Sequence, residues 1–222
     1  MNDEDLIIQQ HAIEFARKNK TTIAKKLTDP AVFSPDTTPV SVFMAGSPGA
    51  GKTEASQNLI KTFKQDGQSI LRIDSDDLRK QFSEYNGHNS SLFIAPTSII
   101  ADKMHDLALI NHQSFVFDGT LSNRDRSMEN IKRSIKRRRT VHIVYIYQDP
   151  LQAWQFVKAR EMTDGRRVPK EAFIDQYFKA RENVNHLKNH FKNDVQVDLV
   201  VKNMDGTNLQ YRQNIDKIDY HI

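Results

Sequence analysis

Apolar residues follow two different spacings along this chain. Over residues 4–27, aliphatic and aromatic side chains recur every three or four positions, which predicts one or two amphipathic helices. A proline-containing loop is expected at 28–38. From residue 40 onward, short apolar runs alternate with helical segments of ten or more residues. This alternation predicts an α/β fold in which helices cover both faces of a mainly parallel sheet.

The pattern predicts five strands and five further helices. The strands are expected at 40–45, 70–73, 114–117, 141–147 and 195–201. The helices are expected at 52–63, 97–110, around Ile131 and Ile135, 151–160 and 169–191. The chain is thereby divided into a helical N-terminal extension (1–38), a main α/β domain (39–203) and a C-terminal tail (204–222).

Composition narrows the classes of function. The chain has 222 residues, of which 38% are hydrophobic and 27% are charged, as is usual for a folded globular protein. No apolar run approaches the roughly 20 residues of a membrane-spanning helix, and the acidic start lacks a secretory pattern, so we expect a cytoplasmic protein. Cysteine is absent, which excludes disulfides, thiolate metal sites and a cysteine nucleophile. The net charge of +4 favours anionic ligands without separating nucleotides from nucleic acid.

A glycine-rich segment follows the first predicted strand. It contains Gly46, Ser47, Pro48, Gly49, Ala50, Gly51, Lys52 and Thr53, and it matches the phosphate-loop pattern GxxxxGK[ST] at every fixed position. The backbone N–H groups of such a loop and of the following helix bind nucleotide phosphates. Lys52 is expected to reach the β- and γ-phosphates, and the Thr53 hydroxyl is expected to be a ligand of Mg²⁺. The domain at 39–203 is therefore predicted to be a three-layer P-loop domain that binds a nucleoside triphosphate.

Other segments separate the classes of P-loop protein. The Asn-Lys-x-Asp motif of GTPases is missing, because Asn19-Lys20 precedes the loop and continues with Thr21-Thr22. No apolar run ends in the Asp-Glu pair typical of motor ATPases. A kinase needs an acid near the acceptor hydroxyl and cationic side chains over the transferred phosphate, and the chain offers both. ATP is the expected phosphoryl donor, although no residue pattern selects adenine over guanine.

Acidic residues follow two of the predicted strands. Asp74 and Asp76 come after the strand at 70–73, and Asp118 comes after the next strand. The carboxyl ends of parallel strands face the ligand crevice, so we expect these acids near the phosphates. Asp76 is placed to accept a proton from an acceptor hydroxyl, and helix capping by Ser75 or Asp76 is the alternative role.

Three arginines surround a glycine between the last two predicted helices. Arg160 precedes Gly165, and Arg166 and Arg167 follow it. This segment is expected to form a lid whose guanidinium groups neutralise phosphate charge during transfer. A solvated loop is the alternative.

Together these elements resemble the zeta toxin family of P-loop kinases over about residues 40–201. The matching elements, in chain order, are Gly46 to Thr53, Ile73 to Asp76, Asp102, Asp118-Gly119-Thr120, Asp149-Pro150 with Ala153-Trp154, Arg160, and Gly165 to Pro169. Only the phosphate loop is specific by itself, so the order and spacing of the whole set support the resemblance. Asp102 stands where the family has a longer, substrate-contacting Glu, which implies a different acceptor pocket.

The resemblance implies a role for each matching residue. Asp76 would be the general base, Lys52 the phosphate-binding lysine and Thr53 the magnesium ligand. Arg160 and Arg166 would be the lid arginines, with Arg167 nearly as good a candidate as Arg166. The residues expected to contact the acceptor are Asp74, Arg79, Asp102, Asp118, Thr120 and Arg167.

The resemblance also implies an acceptor and a partner. The best-known members of the family phosphorylate UDP-N-acetylglucosamine on the 3′-hydroxyl of its amino sugar and so starve cell-wall synthesis. A nucleotide sugar is thus the expected acceptor of this chain, and a protein antitoxin acting in trans is its expected partner.

Three alternatives stay open at this point. One is nucleic-acid binding by a polynucleotide kinase or RNA-binding ATPase through the basic run Lys132, Arg133, Lys136, Arg137, Arg138 and Arg139, although a solvated helix end is the commoner role of such a run. Another is a nucleoside, dinucleotide or antibiotic acceptor. The third is a nucleotide-binding module without catalysis, which the intact set of Lys52, Asp76 and lid arginines disfavours.

Overall fold

The computed structural model describes residues 2–65, 67 and 69–222, which contain six strands and seven α-helices. The helices are α1 (Asp3–Leu27), α2 (Lys52–Gln65), α3 (Ser75–Leu78), α4 (Ile94–Ile110), α5 (Arg124–Lys136), α6 (Pro150–Asp164) and α7 (Lys170–Phe191). The strands are β1 (Val40–Ala45), β2 (Leu71–Asp74), β3 (Phe115–Asp118), β4 (Thr140–Tyr147), β5 (Gln196–Lys202) and β6 (Asn208–Arg212). Every element predicted after residue 40 is present, with ends shifted by a few residues.

The strands form one sheet in the order β2-β3-β1-β4-β5-β6. The first five strands in this order are parallel, and β6 runs antiparallel to β5 at one edge. This confirms the predicted α/β class with a mainly parallel sheet. Because the parallel strands end at the same edge, the residues that follow β1, β2 and β3 come together there.

Alternate residues of β1 face opposite layers of the core. Phe43 and Ala45 belong to the larger apolar cluster, to which α1, α4, α5 and α7 contribute. Val42 and Met44 belong to a smaller cluster, where Leu59 of α2 packs. The strand is therefore buried on both faces, as its continuous apolar run predicts.

No helix in the described ranges is long and apolar enough to cross a membrane.

A single helix fills the N-terminal segment, for which the sequence predicted one or two. It begins with a capping box, in which the Asp5 N–H donates to Asn2 Oδ1 over 2.8 Å and the Asn2 N–H donates back to Asp5. Ala12, Ala16 and Ala24 are buried, and α1 packs along α4. The small side chains allow the two helices to lie close together.

The C-terminal segment contains a strand that the sequence did not predict. The residues of β6 are all exposed, although they pair with β5. Farther along the predicted tail, Ile215 and Ile218 enter the main core. Because β6 buries neither face, it lacks the apolar pattern by which a strand is detected in a sequence.

The basic run at 132–139 is not a uniform surface. Arg139 is 5% exposed, and its Nε donates to the Ser41 hydroxyl over 2.7 Å. Arg133 forms an ion pair with Asp106 of α4. These two cations of the run therefore have structural partners, which argues against the nucleic-acid alternative.

Candidate active site

A cavity of about 1120 Å³ lies at the carboxyl edge of the parallel strands. The phosphate loop, the residues after β2 and β3, the start of α5 and the segment between α6 and α7 line it. Of the predicted site residues, those in its lining are Pro48, Gly49, Ala50, Gly51, Lys52, Thr53, Asp74, Asp76, Arg79, Asp118, Thr120, Arg160, Arg166 and Arg167. Gly46, Ser47 and Asp102 do not belong to the described wall.

Two glycines of the phosphate loop leave no space for a side chain. At Gly46 (φ 133°) a Cβ would lie 2.4 Å from the carbonyl oxygen of Ile146, and at Gly49 (φ 75°) it would lie 2.1 Å from that of Ala153. The loop therefore packs by its backbone against β4 and α6. Both positions need glycine for space and for backbone conformation.

Lys52 begins α2 next to the phosphate loop. Its Nζ donates a hydrogen bond to the Ser47 carbonyl over 2.6 Å. Desolvation lowers the pKa of Lys52 to about 8, because it outweighs the attraction of Asp118 and Asp76. Phosphate groups beside Nζ would favour the charged form, so nucleotide binding is expected to raise this pKa.

The ends of β2 and β3 hold two carboxylates side by side. Asp74 and Asp118 are partners in the strand register, and Arg72 forms ion pairs with both, at 2.7 Å from Asp118. The Ser56 hydroxyl of α2 is 2.9 Å from the same Asp118 oxygen. Burial, with the charges of Asp118 and Asp76, raises the pKa of Asp74 to about 7 despite the attraction of Arg72. This wall of the cavity is thus an acidic cluster around one arginine.

Both carboxylate oxygens of Asp76 contact arginines. Arg79 Nη1 donates to Oδ1 over 2.7 Å, and Arg166 forms an ion pair with Oδ2. The N-cap of α3 is Asp74, which accepts from the Asp76 N–H over 2.8 Å. The alternative of helix capping by Ser75 or Asp76 is therefore wrong. The Asp76 side chain, 32% exposed, borders the cavity instead.

The two adjacent arginines after α6, Arg166 and Arg167, have different surroundings. Gly165 follows α6 in the left-handed conformation, with φ 67°, and so redirects the chain. Arg166 contacts Asp76 and is 25% exposed. The Arg167 side chain is 74% exposed and lies 3.9 Å from Glu161. Of these two candidates, Arg166 is thus the one that reaches Asp76.

Three residues that shape this site were not predicted from the sequence. Arg72 links the acids at the ends of β2 and β3, Ser56 contacts Asp118, and Arg126 lines the cavity. The position of Arg72, on the same face of β2 as Asp74, is a usable signal. Neither Ser56 nor Arg126 belongs to a motif, and only packing of separate elements identifies them.

Several solved structures share this fold. A chain of the PezAT chromosomal toxin-antitoxin system of Streptococcus pneumoniae is 17% identical, with a TM-score of 0.65 over 92% of this chain and 82% of that chain. A chain of the AvrRxo1-ORF1:-ORF2 complex with ATP is 16% identical, with a TM-score of 0.61 over 93% and 65%. A chain of the Pnkp1/Rnl/Hen1 RNA repair complex is 15% identical, with a TM-score of 0.53 over 83% and 51%. At such identities the likeness concerns the fold alone.

Sequence comparison gives the family. No curated protein matches the chain. The profile described as Zeta toxin matches residues 23–216, which is most of the chain. This range contains the phosphate loop, the acids at the ends of β2 and β3, and the arginines of α6 and of the segment that follows it. The chain therefore belongs to the Zeta toxin family.

Proposed function

We propose that this protein is a kinase that transfers the γ-phosphoryl group of ATP to a hydroxyl of a small acceptor. Family membership and the P-loop fold support a phosphotransferase. The observation that supports the proposal most directly is the position of Asp76, which borders the same cavity as Lys52 and Arg166. Phosphorylation of a hydroxyl needs a base, a phosphate-binding cation and a further cation over the transferred group.

The donor side consists of the phosphate loop and the start of α2. Lys52 binds the phosphates in this proposal. The Thr53 hydroxyl and the Asp118 carboxylate both line the cavity, and they are oxygen donors of the kind that Mg²⁺ prefers. These residues fit the ion, which would neutralise phosphate charge when bound. Contacts from Ser56 and Arg72 keep the Asp118 carboxylate in place.

Asp76 accepts the acceptor's hydroxyl proton during transfer. The acceptor oxygen forms a bond to the γ-phosphorus, while the bond from that phosphorus to the bridging oxygen breaks and ADP leaves with the electron pair. Arg166 first has to turn from Asp76 toward the γ-phosphoryl group, which frees one carboxylate oxygen. Arg79 stays on the other oxygen and orients the carboxylate. Arg160, which also lines the cavity, adds positive charge near the transferred group.

The proposed acceptor is a UDP-linked amino sugar. Hydroxyl and amide side chains suited to sugar hydroxyls line the acceptor side, namely Ser90, Ser91, Ser122, Asn123 and Ser127. We also propose a cytoplasmic location and a protein antitoxin in trans. The antitoxin is supported by family membership and by the structural likeness to a chain of a toxin-antitoxin system.

Transfer of labelled phosphate tests the proposed function. The purified protein is incubated with Mg²⁺, γ-labelled ATP and a panel of nucleotide sugars, nucleosides, dinucleotides and a 5′-hydroxyl oligonucleotide. We expect label on UDP-N-acetylglucosamine. Lys52→Ala should reduce transfer at least about a thousandfold and keep a cooperative melting transition, because Lys52 contacts phosphate rather than the core.

Two outcomes contradict parts of the proposal. Transfer by Lys52→Ala at the parental rate would refute the kinase assignment. Label on the oligonucleotide and on no sugar would reject the proposed acceptor and restore the basic run at 132–139 as a binding surface.

A further inference from the structure

An arginine between α4 and α5 is fixed at the acceptor side of the cavity. Arg126 Nη1 donates to the Ser98 hydroxyl over 2.7 Å, and Nη2 donates to the Ser98 carbonyl over 3.2 Å and to Asp102 Oδ1 over 2.5 Å. Ser98 and Asp102 are four positions apart and so share one face of α4. The long side chain of Arg126 is therefore held in one position before any ligand binds.

This arginine keeps donors for a ligand. A guanidinium group has five N–H bonds, of which these contacts to Ser98 and Asp102 use three. In the described part of the chain, the Nε proton and the second Nη1 proton of Arg126 have no acceptor. Arg126 is 35% exposed and belongs to the cavity wall, so a bound molecule can reach these donors.

In the Arg126–Asp102 ion pair, the arginine faces the cavity and the aspartate does not. Asp102 does not line the described wall and is 48% exposed, so solvent screens its negative charge. A ligand in the cavity therefore meets the positive charge of Arg126 rather than the negative charge of Asp102. Arg79 and Arg166, in contrast, are engaged by the two oxygens of Asp76.

We propose that Arg126 binds an anionic group of the acceptor, a phosphate in the first instance, while the acceptor hydroxyl meets Asp76. Ser98 and Asp102 are positioning residues that act through Arg126. This inference rests on the proposed function and deepens it, because it makes charge a determinant of acceptor choice. Hydrogen bonds between an arginine and a phosphate are charge-assisted and about twice as strong as neutral ones.

A second pair on the same two helices provides a matched control. Arg133 of α5 forms an ion pair with Asp106 of α4 and donates to Asn130 Oδ1 over 3.3 Å, and neither Arg133 nor Asp106 belongs to the described cavity wall. Their side chains are 22% and 48% exposed, close to the values for the Arg126 pair. If these pairs only join the helices, removal of either arginine should have the same effect. A ligand role is specific to Arg126.

Acceptors that share a sugar and differ in charge test the inference. N-acetylglucosamine, its 1-phosphate and UDP-N-acetylglucosamine are compared in the labelled-phosphate assay. We expect the wild type and Arg133→Ala to prefer the charged acceptors. Arg126→Ala should raise their KM about 10- to 100-fold and change kcat less than about threefold, which corresponds to the loss of a hydrogen bond to a charged group. Arg126→Lys should recover part of the loss, and Asp102→Glu should resemble the wild type more than Asp102→Asn does.

The outcomes separate this inference from the proposed function. An unchanged charge preference in Arg126→Ala, or an equal loss in Arg133→Ala, overturns the inference. If the wild type phosphorylates none of these acceptors, the proposed acceptor fails, and calorimetric titration of UDP-N-acetylglucosamine into the same variants decides the role of Arg126. Weaker binding in Arg126→Ala but not in Arg133→Ala supports the inference, and absence of binding to the wild type overturns it.

Discussion

The donor side and the acceptor side of the cavity are assembled differently. The phosphate-binding part of the donor side is one continuous segment, residues 46–53, whose shape depends on backbone contacts at Gly46 and Gly49. The acceptor side consists of side chains from separate elements, with Asp74 from β2, Asp76 from α3 and Arg126 from α5. Every nucleoside triphosphate carries the same phosphates, so a local backbone loop is enough to bind them. Acceptors differ from one another, and side chains brought together by the fold have to distinguish them.

The largest effect is expected from the loss of the Asp76 carboxylate, which alters the acceptor side and leaves the donor side intact. Asp76→Asn should lower kcat about 10²- to 10⁴-fold, because it removes the general base. Affinity for ATP should stay close to that of the wild type, because the phosphate loop is unaltered. Single-turnover transfer and calorimetric titration of a non-hydrolysable ATP analogue measure the two quantities. Weakened nucleotide binding would instead make Asp76 a magnesium ligand and Asp74 or Asp118 the better base.

The next-largest effect is expected to distinguish the arginines of the lid from one another. Arg166→Ala should reduce kcat about 10²- to 10³-fold, since it removes a cation from the transferred group. Arg167→Ala is the matched control and should change the rate less than about threefold, because that side chain is 74% exposed. Arg160→Ala should behave like Arg166→Ala. If the melting temperatures of the Arg160 and Arg166 variants fall as steeply as their rates, these arginines support the fold rather than the reaction.

A substitution at a phosphate-loop glycine should disturb the backbone of the donor side. Gly49→Ala places a Cβ 2.1 Å from the Ala153 carbonyl oxygen, whereas Gly67, with a similar φ of 74°, has no described atom within 4 Å of that position. Gly49→Ala and its control Gly67→Ala should each lose about 1–2 kcal/mol of unfolding free energy to backbone strain. Gly49→Ala should lose about 1–3 kcal/mol more, together with nucleotide binding, because of overlap. Urea unfolding of both variants measures the difference, and equal losses would contradict it.

The smallest effect concerns the protons exchanged at Lys52. Its pKa is about 8 in this protein, against an ordinary value of 10.5. Phosphates favour the charged amine, so ATP binding above pH 8 should take up as much as one proton, and affinity should fall as the pH rises. Calorimetry in two buffers with different ionisation enthalpies measures this uptake. Lys52→Met should abolish it, and unchanged uptake in that variant would assign the proton to another group.

The lowered pKa of Lys52 also predicts how the stability of the unliganded protein changes with pH. Between pH 8 and 10.5 the unfolded chain holds a proton on Lys52 that the folded protein has released. The unfolded state therefore binds more protons, and Lys52 makes the unliganded protein more stable as the pH rises through this window. Denaturation of the wild type and Lys52→Met at several pH values isolates this contribution.

Much of the fold was predictable because the buried elements carry local patterns. The continuous apolar run of β1 and the glycines after it indicate a strand that leads into a phosphate loop. The edge strand β6 was not predictable, because all of its residues are exposed and pairing with β5 depends on a segment distant from any motif. Burial of Arg139 was also hidden, since its partner Ser41 lies on β1, 98 positions away along the chain.

The sequence alone predicts the phosphate loop, the acids at the ends of β2 and β3, and the order of the longer helices and of strands β1 to β5. Backbone conformation and apolar spacing depend on residues close together in the chain, so a local pattern is enough to indicate them. The contacts of the arginines depend on the folded structure, in which Arg166 rather than Arg167 reaches Asp76 and Arg126 pairs with Asp102 beside the cavity. An arginine side chain has many rotamers and contacts whichever carboxylate the packing of distant elements brings within reach, so its partner cannot be deduced from neighbouring residues.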